Sequence, residues 1–201
     1  MKLTAPKRLA FVLGNIAPDV NPFSYLIRSG ENRLGGHNYD SRKAYMANVW
    51  EKQKKRDSVA GWFQAGEMLH YLVDSFTRPH NSEFDYPVKE HVAYEHELHE
   101  HFTALLDSDN ISEQLKDALY VSDFQKWLED NHSEYIKQSK TIDEDTQYIL
   151  GCTIAACRTL AAGAAMAGRQ TAPSLRPKTQ PMVLLKPQPL VLKKPQPDTA
   201  S

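Results

Sequence analysis

Residues 70–80 read His70-Tyr71-Leu72-Val73-Asp74-Ser75-Phe76-Thr77-Arg78-Pro79-His80, and His91-Val92-Ala93-Tyr94-Glu95 follows after a second proline, Pro87. The residues leading into His70 are apolar at helical spacing, through Trp62, Ala65 and Leu69. His70 and Asp74 therefore stack an imidazole and a carboxylate on one helix face, about one turn apart. The segment Ser75 to Pro79 is short enough to turn His80 back toward the same place. His91 and Glu95 repeat the i, i+4 pairing on the next helix. Two helices thus each offer a histidine-carboxylate pair, with His80 between them, a mixture of imidazole nitrogen and carboxylate oxygen that suits zinc.

The rest of the chain fits a helical frame around this stretch. Helical periodicity runs nearly throughout, with no convincing period-two strand, so the expected fold is an all-α multi-helix bundle. A short apolar helix is expected to end near Gly14. Pro18, Pro22, Gly30, Gly35 and Gly36 then mark one long early loop. Further helices are expected from about Ser41 to Lys55, from the cap-like Asp57-Ser58 to about Asp74, and from about Val88. Others are expected from Ser112, from Ser122, and from about Asp143 to Ala167.

Beyond Ala167 the character changes. Seven of the twelve prolines lie in residues 168–201, and Lys186-Pro187-Gln188-Pro189 recurs as Lys194-Pro195-Gln196-Pro197. The division expected is a helical domain over 1–167 and a low-complexity, disordered tail over 168–201. The tail is basic and the body acidic, although the whole chain has a formal net charge of −1. A solvated extension is the plain reading of the tail; a proline-recognising domain or an anionic surface would be its partner otherwise.

Bulk charge points to no nucleic-acid partner. Cys152 and Cys157 sit five apart in a small-residue helix, which turns them to different faces and argues for packing over a disulfide. The apolar run Leu9-Ala10-Phe11-Val12-Leu13 is short for a signal peptide and is broken by Gly14 and Asn15. No run approaches the roughly 18 apolar residues of a membrane span. The chain as it stands reads as soluble and cytoplasmic, and as exported if a further amino-terminal segment precedes it.

Six of the eight histidines fall between His70 and His101. Of these, His96, His99 and His101 lack an ordered partner pattern and read as a polar helix face, although His99 lies four beyond Glu95 and is within reach of the pocket. His132 reads as a surface residue. Asp40 is either a weak ligand or the cap of the helix near Ser41.

The stretch His70-Tyr71-Leu72-Val73-Asp74 to Pro79-His80 resembles the H-Y-L-G-D…Q-P-x-H signature of the zinc-dependent phospholipase C family, whose fold is shared by the S1/P1-type nucleases. His91-Val92-Ala93-Tyr94-Glu95 resembles that family's H-x-x-Y-E segment. Gly14-Asn15-Ile16-Ala17-Pro18-Asp19 resembles its G-x-I-A-P-D stretch, and Gly36-His37 falls where its next histidine ligand stands. The resemblance implies one zinc on His37, His70 and Asp74 and a second on His80, His91 and Glu95, with Asp19 a ligand or the base beside the activated water. In the family a third zinc uses the counterpart of Asp74, a histidine of the first helix and the amino-terminal residue. No histidine precedes His37 here, which leaves three readings: two ions, an amino-terminal helix absent from this chain, or lost activity. Val73 replaces a glycine, and Arg78 replaces a glutamine where it could meet a phosphate oxygen.

Zinc makes hydroxide available near neutral pH and neutralises charge on a phosphoryl oxygen, so hydrolysis of a phosphodiester follows from such a site. A phospholipid head group is the first substrate expected, with peripheral contact to a membrane. A nuclease or nucleotidase on the same fold is the second reading, and it needs aromatic rings to stack a base, for which Tyr25, Tyr39, Trp62 and Phe84 are available. A metal-binding but catalytically silent adaptor acting through the tail is the third. Imidazole must be neutral to bind metal, so zinc and activity should be lost below about pH 5 to 6.

Overall fold

Ser58 starts the central helix by accepting a hydrogen bond from the Gly61 amide at 3.0 Å, which satisfies one of the donors a helix start leaves open. In a computed structural model of the protein this helix is the third of six among the described residues. The described residues are 3–20, 37–53, 57–84, 88–106, 120–139 and 141–167. Among them are α1 (Ala5–Val20), α2 (Tyr39–Gln53), α3 (Val59–Asp74), α4 (Val88–Leu106), α5 (Phe124–Gln138) and α6 (Ile142–Ala167), a 3-10 turn at Arg78–His80, and no strand. The expected tail and the helix expected from Ser112 lie outside the described residues.

The core is built where apolar residues recur every three or four positions. Trp62, Ala65, Met68, Leu69 and Leu72 of α3 are buried with Met46 and Trp50 of α2, Phe124, Leu128 and Tyr135 of α5, and Ile149, Ala156 and Leu160 of α6. Trp50 stacks on Phe124 with ring centroids 4.5 Å apart. Cys152 is buried in the same core, and both cysteines are free. Among the described residues no helix is long and apolar enough to cross a membrane.

The first helix does not end at Gly14. It runs on through Pro18 to Val20 and packs along α3. A Cβ on Gly14 would lie 2.0 Å from the Phe63 carbonyl oxygen, and one on Gly66 would lie 2.2 Å from that of Phe11. Gly14 is thus a helix-crossing residue, needed because two backbones touch there, and not a terminator. The continuation past Gly14 is what carries Asp19 to the site.

The second helix begins at Tyr39, two residues before the expected start. Asn38 caps it, its side chain accepting the Asp40 amide at 2.8 Å, while Asp40 itself pairs with Lys43 at 2.7 Å on the surface. Asp123 caps α5 by accepting the Lys126 amide at 3.1 Å. Thr141 and Glu144 cap α6 reciprocally: the Thr141 amide donates to the Glu144 carboxylate at 3.0 Å and the Glu144 amide to the Thr141 hydroxyl at 3.3 Å.

Candidate metal centre

The last turn of α3 presents His70 and Asp74 on one face, as the four-residue spacing requires. His37 arrives from just ahead of α2, so that its Nδ1 lies 2.9 Å from Asp74 Oδ2 and 3.2 Å from His70 Nε2. His70 Nε2 is also 3.2 Å from Asp74 Oδ2 and 3.4 Å from Asp19 Oδ1 at the end of α1. Four side chains from three parts of the chain converge in this way.

A nitrogen carries at most one proton and can aim it at one acceptor, yet each of these imidazole nitrogens faces two or three polar atoms. A shared cation satisfies all of them together. Tetrahedral zinc with bonds of about 2.0–2.1 Å has ligand-to-ligand edges of about 3.3 Å, and the separations of 2.9 to 3.4 Å among these four side chains bracket that value. The donors fit the ion in kind and in spacing.

Among the described residues three groups of donors are close enough to hold a metal: Asp19, His37 and His70; His37, Asp74 and His80; and His80, His91 and Glu95. His37 and His80 each belong to two of them, so the groups form one continuous centre. His37 and Asp74 are buried, at 4% and 8% exposure, whereas the side chains of Asp19 and Glu95 are 61% and 57% exposed. The centre has a dry floor and an open rim. His91 Nε2 and Glu95 Oε1 stand 2.7 Å apart, a direct hydrogen bond that is shorter than a ligand edge. Glu95 must swing outward to share an ion with His91, and its exposure leaves room for that.

Charge on the floor is set by competition between burial and partners. Burial alone would raise the Asp74 carboxyl, but the His80, His37 and His70 imidazoles hold it far below the ordinary carboxylate range. Burial pulls His70 down, but the Asp74 hydrogen bond and charge outweigh it, and the net shift is upward. At His80 burial wins and the pKa is lowered, which favours the neutral form a metal needs.

His80 is also oriented. Thr77 Oγ1 donates its one proton to the Asp74 carbonyl at 2.8 Å, so its 2.7 Å contact with His80 Nδ1 must be a bond donated by the imidazole. Nε2 is then the nitrogen with the free lone pair. Asn81 fixes the same turn, donating from Nδ2 to the Ser75 and Thr77 carbonyls at 3.1 and 2.8 Å. Its Oδ1 therefore accepts from His132 Nε2 at 2.7 Å. His132 is accordingly no surface residue: it is buried, stacked on Tyr39 at 3.4 Å between centroids, and burial lowers its pKa to about 4.

A second support lies in α6. Asp145, fully buried, accepts from Arg78 Nε at 2.9 Å and from the Tyr94 hydroxyl at 2.8 Å on one oxygen, and from Tyr135 at 3.0 Å and Ser139 on the other. Burial first, and the Asp145 charge next, hold Tyr94 and Tyr135 well above the ordinary tyrosine range, so both stay donors. One carboxylate thereby anchors the turn bearing His80 and the helix bearing His91 and Glu95. Arg78 Nε is engaged in that anchor.

The remaining histidines stand apart. His99 is exposed and joins none of the three groups, His96 pairs with Glu100 at 3.4 Å, and His101 meets Asp143 of α6. Of the rings named for stacking a base, Tyr39 and Trp62 are buried, Phe84 packs against the core, and Tyr25 lies outside the described residues. Thr77, Asn81, His132 and Asp145 were not legible as parts of a site, because nothing in their local spacing relates them to the ligand pattern.

The family model for zinc-dependent phospholipase C matches residues 5–142, a span that takes in every residue of the three donor groups. The chain belongs to the zinc-dependent phospholipase C family. Comparison with curated proteins and with solved structures gave no match. Most of α6, including Asp145, lies past the matched span, so this zinc-dependent phospholipase C relative draws a main anchor of its centre from outside it.

Proposed function

We propose that the protein hydrolyses a phospholipid between glycerol and phosphate, with one zinc ion held by His37, His70 and Asp74, a second by His80, His91 and Glu95, and Asp19 beside the first as the base for the attacking water. The observation that carries this reading is the convergence of His37 Nδ1, His70 Nε2 and Asp74 Oδ2 at separations of 2.9 to 3.2 Å. The middle donor group adds no third ion in this reading. Its His37 and Asp74 already serve the first set and its His80 the second, so it marks where the two ions adjoin.

Bound zinc supplies an activated water and neutralises charge on the phosphoryl oxygens. The chain's residues do the rest. Asp19, exposed at the rim, orients the attacking water and takes its proton, while the buried His37 and Asp74 keep the floor dry. The water oxygen bonds to phosphorus, the bond from phosphorus to the glycerol oxygen breaks, and that oxygen leaves with the bonding pair and takes a proton from solvent water. Burial of Tyr39 and Trp62 removes two of the rings that a nuclease would need for stacking, which favours a head group over a base.

The test pairs metal content with substrate. Elemental analysis of the full chain purified with zinc should find about two ions, with about one lost in His70→Ala and in His91→Ala. Head-group release from phosphatidylcholine should fall by at least about a hundredfold in each variant, and single-stranded DNA should remain intact. A wild-type zinc content near zero would overturn the centre; zinc retained with DNA cut and lipid intact would move the activity to a nuclease.

A further inference from the structure

Helix α1 has two unlike faces. Ala10, Gly14 and Pro18 are buried against α3. On the other side Leu9, Val12, Leu13, Ile16 and Val20 are 60%, 53%, 49%, 49% and 70% exposed. Successive members lie one, three or four residues apart, and at helical pitch all five fall within an arc of about 100° and run for about 16 Å along the helix. The other large exposed apolar residues among those described, Val59, Val92 and Tyr120, lie on three other segments. Burying none of this stripe in the core is not accidental surface apolarity, which is ordinarily scattered.

Two features say what covers the face. Its carboxy-terminal end adjoins the metal centre, since Asp19 lies between Ile16 and Val20 in sequence and reaches within 3.4 Å of His70 Nε2. A surface laid on the stripe therefore meets the open rim. The charge on α1 is also one-sided: Asp19 is its only acid, whereas Lys7 and Arg8 stand at its start. Lys7 is held by Asp57 at 2.6 Å, and Arg8 is exposed on the flank of the stripe, where a phosphate group would complement it.

We propose that the exposed face of α1 docks the protein on a phospholipid bilayer, with the helix lying in the head-group plane and the metal centre brought over the lipid head groups. An apolar stripe edged by a cation is the composition of an interfacial helix, and α1, at 16 residues, is not long enough to cross a membrane. The purpose of the docking rests on the phospholipase reading above; the docking itself is measured without it.

The experiment uses the full, zinc-loaded chain and sedimentation with vesicles of phosphatidylcholine containing phosphatidylglycerol. Wild type should sediment with the vesicles, and Leu9→Asn/Val12→Asn/Leu13→Asn should partition at least about tenfold less. Both should hydrolyse a soluble short-chain phosphatidylcholine at rates within about twofold of each other, since these three positions are remote from the donor groups. Vesicle binding by wild type without hydrolysis of either lipid would keep the docking face and overturn the activity. Equal partitioning of wild type and variant would overturn the docking face, as would a wild-type dimer in sedimentation velocity that the variant abolishes with no vesicle binding. Should the triple variant misfold by circular dichroism, Leu13→Trp serves instead: a blue shift on vesicles and quenching by brominated lipid are expected, and an unchanged spectrum would overturn the proposal.

Discussion

A single hydroxyl proton decides which nitrogen of His80 faces the centre. Thr77 gives that proton to the Asp74 carbonyl, and the imidazole is left to donate from Nδ1. One step further out, His132 donates to Asn81 and holds the turn. That role makes a pH prediction. The folded pKa of His132 is lowered to about 4 by burial, against about 6.5 in the unfolded chain. Between these values the unfolded chain binds a proton that the folded chain does not, so the contribution is whole above about pH 6.5 and is lost as pH falls toward about 4, to an extent of about 3 kcal/mol. Urea midpoints of the metal-free protein across this range should fall with acid, and His132→Phe should flatten the fall; a slope unchanged by the substitution would assign it to other groups, of which His80 has the same sign. The candidate donor pairs His70/Asp74 and His91/Glu95 were readable because they stand at a helical spacing. Thr77 and Asn81 flank His80, but nothing local tells which atoms they turn toward.

At the scale of elements, the close crossing of α1 and α3 sets how Asp19 enters the centre. Glycine at a helical position reads as a stop when only local preference is considered, and Gly14 was expected to be one. The crossing reverses that meaning, because the Phe63 and Phe11 carbonyls occupy the space a Cβ would need. Gly66→Ala should therefore destabilise the protein by about 2 kcal/mol or more, although alanine is the better helix former. Gly151→Ala, where nothing lies within 4 Å of the added carbon, should stabilise by up to about 1 kcal/mol. Urea denaturation of the two variants checks both signs, and stabilisation at both positions would mean that the helices part easily. The Ser58 start of α3, by contrast, was readable within a residue, since a cap bonds to an amide three residues away.

Across the whole molecule, the centre joins α1, the segment before α2, α3, the Arg78–His80 turn and α4. Zinc bound to the folded chain alone adds about 2.7 kcal/mol at a hundredfold excess over its Kd. Chelation should then lower Tm by about 5 to 11 °C, reversibly on zinc addition. A Tm that does not move as zinc leaves would show that the core and the Asp145 anchor hold these segments unaided. The sequence by itself determined the helical class and the spacing of the candidate donors His70, Asp74, His80, His91 and Glu95, and through resemblance it pointed to Asp19 and His37. It could do so because a helix repeats every 3.6 residues and places its neighbours without reference to the rest of the chain. Only the tertiary structure decided that Gly14 is a crossing point, that His132 is buried, that Arg78 is tied to Asp145, and that the apolar side chains on one face of α1 are exposed. The bonds involved join residues 51 and 67 positions apart, and contacts at such separations depend on how helices pack, which no local spacing encodes.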